Sequence, residues 1–504
     1  MLARLAPLLA IAALAAALWL IFPFGFPNYD TVYMLVWGQE LAAGASPDLD
    51  APLAPTPHPL AELFGLVTEP LGEGAVTATM VVAYASLAAI GYLTYRLGSL
   101  WFDRAIGVAA AAIVLTRAPF LSNGLRAYVD LPYIALVLAA LVVETRRPRA
   151  GWPVLALLAL AGLLRPEAWL FSAVYLAYLA LRLDRDPPDP GLGGFRAHWW
   201  RFSPNPGFWR LRWRDERSPH ELAWLTALAA AAPLGWAVFD WVTADDPLYS
   251  FTGTRDTVET LERDTGPVDV VLYGPRRLGE VLQWPGIVGA AGGVLLCLAF
   301  FRRRALLGVS AAALALAAFA LLGSAGLAVI PRYTMLAAAI LAVFCGAALL
   351  GWRLLETRDR WRRRWAAFAA LVAAMFVIWG PNQYDLLDRV YTDLDDQSRV
   401  EGDLEDLADS GAFRPLCLPI SVPNHRAVPR LALNLDLRPS SVVSSTEQRQ
   451  PRRGYFLEPA DDFAIEHFLL DPNDPARLEI DVPPGFRPVP RGRNESWVLH
   501  ERCG

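Results

Sequence analysis

The chain has 504 residues, 55% of them hydrophobic, with a mean hydropathy of +0.32. That apolar share exceeds the roughly 45–50% of soluble domains and excludes an ordinary soluble enzyme. A net charge of −5 gives no electrostatic footprint for nucleic acid. All 45 basic residues are Arg, a bias that points to a GC-rich genome and not to a mechanism.

Leu8 to Phe22 is an almost unbroken apolar run preceded by Arg4. No cleavage site separates it from the polar segment that follows, so it reads as a retained first span that doubles as the insertion signal. Further apolar runs follow at 76–98, 105–121, 130–145, 152–164, 168–183, 222–242, 285–301, 305–329, 333–352 and 366–380. With the first span at 4–22, they predict a polytopic α-helical membrane protein of about 11 transmembrane helices.

Arginine sets the orientation. Five basic loops (96–104, 146–149, 182–217, 302–304 and 353–364) fall on one side if the N-terminus is cytoplasmic. The third belongs to a cytoplasmic loop at 184–221. Its stretch Phe195 to Trp213 mixes Arg with Trp and Phe, as expected of a segment lying in the headgroup region. The other side then carries the loop 23–75, the turn 117–130, the loop 243–284 and everything from 381 onward. Turns at Arg165-Pro166-Glu167 and Pro331-Arg332-Tyr333 join that external face.

Two domains are expected: a membrane module over 1–380 and an extracytoplasmic soluble domain over 381–504. The latter is polar and Pro-rich, with β-like runs at Ser441 to Val443 and Leu478 to Ile480 and a helical stretch from Asp461 to Leu470, which predicts a small α/β domain. Cys297 and Cys345 lie inside apolar runs. Cys417 and Cys503 bracket the polar domain, where either a disulfide or two free thiols fits.

An acid at the mouth of a span must face water or protein, because lipid does not tolerate its charge. Asp30 follows the first span directly, and Asp130 opens another at the same face. Asp30 also fits as the cap of a helix starting at Thr31, and Asp130 as the cap of one entering Leu131-Pro132.

Four segments in order carry a family likeness. They are Tyr29-Asp30-Thr31-Val32-Tyr33, Pro55-Thr56-Pro57-His58-Pro59-Leu60, Ser122 to Pro132 with Arg126 and Asp130, and Leu164-Arg165-Pro166-Glu167. Over residues 1–185 the chain resembles the GT-C superfamily of membrane glycosyltransferases, in its protein mannosyltransferase and aminoarabinose transferase branch. Thr31 stands where many members carry a second acid.

The resemblance implies a GT-C-like fold and a hexosyl or pentosyl transferase at the external face of the plasma membrane. Its partners would be a polyprenyl-phosphate sugar donor, a glycan, lipid or protein acceptor, and membrane lipids, with no nucleic acid. Asp30 is the expected general base, within reach of an acceptor hydroxyl. Arg332 is the first candidate for the departing phosphate, with Arg126, Arg165 and Arg255 behind it. His58, Asp130, Glu167 and Tyr333 complete the expected substrate-binding set, with His58 in the family's basic position. The loop segment Tyr249 to Arg255 either lines the cleft or packs on the C-terminal domain.

The chain has no His-Glu-x-x-His or Cys-x-x-Cys motif and no paired acid in the first loop, so no cofactor is expected. A divalent ion between Asp30 and Asp130 is the alternative. Two other functions compete. A lipid-linked sugar carrier would show paired halves, and none is visible. A non-catalytic assembly protein would work through its C-terminal domain, whose His425 and His467 stand isolated in the sequence.

Overall fold

The computed structural model describes residues 2–185, 209–213, 218–471 and 475–503. The first apolar run forms α1 (Leu2–Ile21), and the loop after it folds into α2 (Tyr29–Ala42) and α3 (Pro59–Thr68). The bundle continues through α4 (Gly74–Trp101), α5 (Arg104–Leu115), α6 (Ala118–Leu125), α7 (Asp130–Arg146), α8 (Trp152–Gly162) and α9 (Glu167–Ala180). Strands β1 (Leu181–Arg185) and β2 (Trp209–Trp213) pair antiparallel before α10 (Pro219–Ala244). Then come α11 (Tyr249–Thr260), α12 (Pro267–Phe300), α13 (Arg302–Ser324), α14 (Met335–Leu350) and α15 (Arg360–Ile378).

Every expected span falls on a helix. Among the described residues six helices are long and apolar enough to cross a membrane, or seven if one bent pair counts as a span, and shorter apolar helices occupy 5–21, 152–162 and 167–180. The chain is a multi-pass membrane protein. Helix α14 is apolar all round and buried over nearly its whole length, so it sits inside the bundle rather than against lipid.

Three expected spans differ in shape. The run 105–121 is two helices, α5 and α6, bent by 63° where Pro119 opens the second. The run 285–301 is the tail of the longer α12, broken at Gln283 (φ 59°, ψ 167°) two residues before Pro285. Arg117 joins the two breaks by donating from Nη1 to Gln283 Oε1 at 3.2 Å. The run 168–183 stops at Ala180, where the chain turns extended. Most of the Arg/Trp stretch 195–213 lies outside the described residues.

Beyond the bundle, α16 (Gly380–Asp409) leads into the mixed five-stranded sheet of the C-terminal domain. Its strands are β3 (Ile420–Val422), β4 (Val442–Ser444), β5 (Gly454–Pro459), β6 (Arg487–Arg493) and β7 (Trp497–Arg502), in the order β4-β3-β5-β7-β6. Helix α17 (Val428–Leu435) crosses between the parallel strands β3 and β4. The expected strand at Leu478 to Ile480 is irregular chain: prolines at 475, 483 and 484 flank it and remove ladder donors. The stretch 461–470 is one short helical turn (Asp462–Ala464) followed by a wider one (Ile465–Leu469). Cys417 and Cys503 form a disulfide that ties the end of β7 to the chain before β3, while Cys297 and Cys345 are buried thiols.

Helix α2 belongs to the core of this C-terminal domain. Tyr33, Trp37 and Ala51 lie in one apolar cluster with Val400, Leu404, Ile420, Leu431, Tyr455 and Trp497. Polar ties reinforce it: Ser440 N donates to Asp48 Oδ2 at 2.8 Å, and Arg438 reaches Glu40 at 3.5 Å. On its other side α2 crosses α3 at Gly38 and Gly65, where a Cβ on Gly38 would lie 2.3 Å from the Gly65 backbone. Two glycines therefore set the approach of these two helices.

Trp37 is fully buried in the shared cluster and donates from Nε1 to Asp48 O at 3.1 Å. Trp37→Ala should destabilise the protein by roughly 3–5 kcal/mol. The loss should be visible as a lowered Tm and as faster proteolysis within both the 43–58 loop and the C-terminal domain, because one core holds them.

Candidate active site

The site starts from a cap. Asn28, not Asp30, caps α2: its Oδ1 accepts from Asp30 N at 2.8 Å and Thr31 N at 3.3 Å. Asp30 therefore lies in the first helical turn, where the helix dipole favours a negative charge, with its carboxylate left for other work. Backbone bonds fix the position: Phe26 N to Leu125 O, and Asn28 N to Arg126 O at 2.9 Å. Thr31 Oγ1 donates to Ala127 O at 2.9 Å. From the C-terminal domain, Arg430 donates to Pro27 O at 3.4 Å.

Asp30 faces one large cavity of about 1490 Å³ between the bundle and the C-terminal domain. Arg332 Nη1 meets Asp30 Oδ2 at 3.4 Å. The Arg332 guanidinium also stacks over Tyr128 at 5.1 Å and Tyr333 at 5.4 Å. Arg165 lies over the same Tyr333 ring at 4.2 Å, so one aromatic face serves two cations. Arg165 is buried and ion-paired with Glu167 at 2.9 Å and Asp130 at 3.5 Å. Arg126 lines the cavity and donates to Ser122 Oγ at 3.0 Å.

Most of the expected set converges here: Asp30, His58, Arg126, Arg165, Glu167, Arg332 and Tyr333 all line the cavity. Three expectations are corrected. Asp130 is neither a helix cap nor a cavity residue; it is 2% exposed and holds Arg165 from behind. Arg255 is exposed, lies over Phe251 at 5.8 Å beside Gly326, and does not line the cavity. His58 is not a cation. Burial, and then the nearby Arg165 and Arg332 charges, hold its imidazole down at about 3. Its ring stands edge-on to Trp236 at 5.5 Å.

Glu62, one helical turn on, accepts from His58 N at 3.1 Å. Burial pushes its carboxyl up to about 8; Asp240 adds to the rise and the His58 N–H opposes it. Of the two expectations for the loop segment 249–255, lining the cleft is the one met; its other contact is to the loop between α2 and α3 and not to the C-terminal domain. Ser250, Phe251 and Thr254 line the cavity, while Tyr249 donates to Leu49 O at 3.3 Å.

The residues of the cavity's remaining wall could not be named from the sequence. They come from α16 and the C-terminal domain, with Asp393, Gln397, Glu401, His425, Arg430 and Glu466 among them. His425 and His467 are not isolated: they lie 3.7 Å from Glu447 and 3.9 Å from Asp396. No local motif announces residues that reach the site by tertiary packing. The Asn28 cap, in contrast, has a local signal: Asn directly before a helix start.

One feature asks for a ligand. The Nε atoms of Arg126, Arg165 and Arg332 are all buried with no hydrogen-bond partner among the described residues. Three unsatisfied guanidinium donors around one cavity form a ready anion site.

No family model and no curated protein matches the sequence. Among solved structures, ArnT from Cupriavidus metallidurans bound to undecaprenyl phosphate is similar in fold, with TM-score 0.53 and 13% identity over 98% of each chain. The apo form of the same protein gives TM-score 0.51 and 14% identity, covering 99% of this chain and 98% of that one. The chain therefore has the GT-C fold of that aminoarabinose transferase.

The two buried groups of α3 set opposite pH trends. His58 binds its proton more weakly in the folded state, so its contribution is complete above about 6.5 and is lost as pH falls toward 3. Glu62 binds its proton more tightly when folded, so its contribution is complete below about 4.5 and is lost as pH rises through 8. Glu62→Gln keeps the acceptor for His58 N. It should leave Tm unchanged at pH 4.5 and raise it by several degrees at pH 8.5, read by thermal unfolding across pH.

Proposed function

We propose that the chain is a glycosyltransferase that moves a sugar from a polyprenyl phosphate to an envelope acceptor at the external membrane face. The observation that carries this reading is the ring of buried, unpartnered guanidinium donors of Arg126, Arg165 and Arg332 beside the Asp30 carboxylate. A GT-C fold shared with a protein crystallised with undecaprenyl phosphate supports the lipid class.

In this reading the acceptor hydroxyl attacks the sugar's anomeric carbon as the bond from that carbon to the phosphate oxygen breaks. Asp30 takes the hydroxyl proton. The leaving phosphate diester becomes a monoester and gains negative charge, which Arg332, Arg165 and Arg126 offset. A single displacement inverts the anomeric centre. Tyr128 and Tyr333 offer flat faces beside the cations. Asp130 and Glu167 orient Arg165 and do not touch substrate. The guanidiniums take the part a divalent ion would play, and transfer is metal-independent.

The topology belongs to the same proposal: eleven crossings, a cytoplasmic N-terminus and an external C-terminal domain. The five Arg-rich loops on one side support it, as does the disulfide between Cys417 and Cys503, a bond kept in oxidising compartments.

Asp30→Asn should retain undecaprenyl phosphate in native mass spectrometry and lose turnover by about 10²–10⁴-fold, the usual worth of a positioned base. Arg332→Ala should lose the bound lipid. Chelation with EDTA should leave the transfer rate unchanged. A wild-type protein that takes up no undecaprenyl phosphate would remove the donor from this reading.

A further inference from the structure

The cavity has two unlike walls. On the bundle side Arg165 and Arg332 are paired with acids, yet they and Arg126 each keep a buried Nε with no partner among the described residues. On the C-terminal side, the arginines at the cavity are already matched by acids: Arg430 Nε meets Glu401 Oε2 at 2.5 Å, and Arg426 pairs with Asp471. That wall offers no surplus positive charge.

It offers hydrogen-bonding groups instead. Asp393, Gln397 and Glu401 recur every four residues along α16, one above the other on a single helix face, and all three line the cavity. Glu466 and His425 face the same space. The side chains of Asp393, Gln397 and Glu466 make no hydrogen bond or ion pair among the described residues. His425 is set differently, with Nδ1 toward Glu447 at 3.7 Å and its ring edge-on to Tyr29 at 5.3 Å. Burial alone would raise the Glu447 carboxyl, but contact with His425 and the hydroxyls of Ser444 and Thr446 holds it down at about 2. Glu447 is thus an anion that orients the ring. His425 and Asp30 line the same cavity.

We propose that this C-terminal wall, with Asp393, Gln397, His425 and Glu466, is the acceptor subsite, and that it takes an uncharged, hydroxyl-rich glycan end. The proposal rests on the glycosyltransferase reading and names its acceptor class. Carboxylate and amide oxygens accept from sugar hydroxyls, the Gln397 amide and the imidazole can donate in return, and each partner satisfies the other. A phosphorylated or uronic-acid acceptor would bring negative charge against the exposed carboxylates of Asp393, which the Arg126 charge meets across the cavity, and of Glu466, which has no ion pair among the described residues. The wall opposite recognises the anion, so the two substrates are sorted by charge within one cavity.

The test uses the full chain in lipid nanodiscs. A printed array carries neutral hexose and pentose oligosaccharides, their phosphorylated and uronic-acid counterparts, and Ser/Thr peptides. Undecaprenyl phosphate uptake is measured in parallel by native mass spectrometry. Wild type should be retained on neutral glycans. Gln397→Ala and Glu466→Ala should each weaken that retention about tenfold, the loss of one good hydrogen bond, with lipid uptake and Tm unchanged. Arg332→Ala should do the reverse, losing the lipid and keeping the glycan. Preference for anionic glycans or for peptides would overturn the proposal. So would neutral retention that neither variant weakens, or no glycan retained at all. Glycan retention by a wild type that takes up no undecaprenyl phosphate would leave this subsite standing and unseat the donor reading.

Discussion

The site depends on placing three carboxylates at the edge of a low-dielectric region without stranding any of them. Asp130 and Glu167 are nearly inaccessible, and removing either charge from water costs several kcal/mol unless a cation answers it. Arg165 answers both, at 3.5 and 2.9 Å, and Arg332 answers Asp30 at 3.4 Å. Tyr333 lies against the two guanidiniums and offsets their mutual repulsion. This cluster draws together the turn after α8, the start of α7, the turn before α14 and the start of α2. Elements from four parts of the sequence meet there because no one of them can hold its charge alone.

The second dependence is on the C-terminal domain. It is the seat of α2, and so of Asp30, as much as it is a lid over the cavity. Tyr33 and Trp37 are side chains of its core, and Arg430 reaches Pro27 O just ahead of the Asn28 cap. The opposite side of the same segment is bonded to the chain between α6 and α7. A carboxylate held from both sides keeps its position without the substrate's help, which is the condition for electrostatic preorganisation. It also explains why the domain cannot be treated as a removable module: cutting it away would expose one face of α2 and unmake the site along with the wall.

Much of this was legible in the sequence, and the limits are instructive. The apolar runs located the helices because their length and continuity are local properties. Asp30, Arg165, Glu167 and Arg332 could be singled out because a charge at a span end needs a reason. What could not be read was pairing. Asp130 was singled out beside Asp30, but nothing in the sequence says that it faces Arg165 and not the cavity. His58 was read as basic from residue type, yet its charge is decided by burial and by two cations from distant segments. Arg255 had the right loop and the wrong direction. The bend between α5 and α6 and the break at Gln283 were hidden because apolar composition continues through both. The residues of the C-terminal wall could not be named for the same physical reason, since they join Asp30 at the cavity only through the sheet and α16.

An ion pair between the proposed base and an arginine looks self-defeating, because the guanidinium occupies the carboxylate that an acceptor hydroxyl needs. The arrangement makes sense if the pair describes the enzyme before its donor arrives. Arg332 keeps a buried Nε without a partner while its Nη1 rests on Asp30 at 3.4 Å, a long contact for a charged hydrogen bond. A lipid phosphate entering this space would offer that guanidinium a bidentate partner and draw it off the carboxylate. Asp30 would then be free to accept a hydrogen bond from the acceptor hydroxyl. On the proposed reading the base is unoccupied only once the leaving group is seated. An acceptor hydroxyl reaching Asp30 before the donor would find a carboxylate still occupied, which favours donor binding first. The same ion pair keeps a lone carboxylate from standing uncompensated at the membrane face between turnovers.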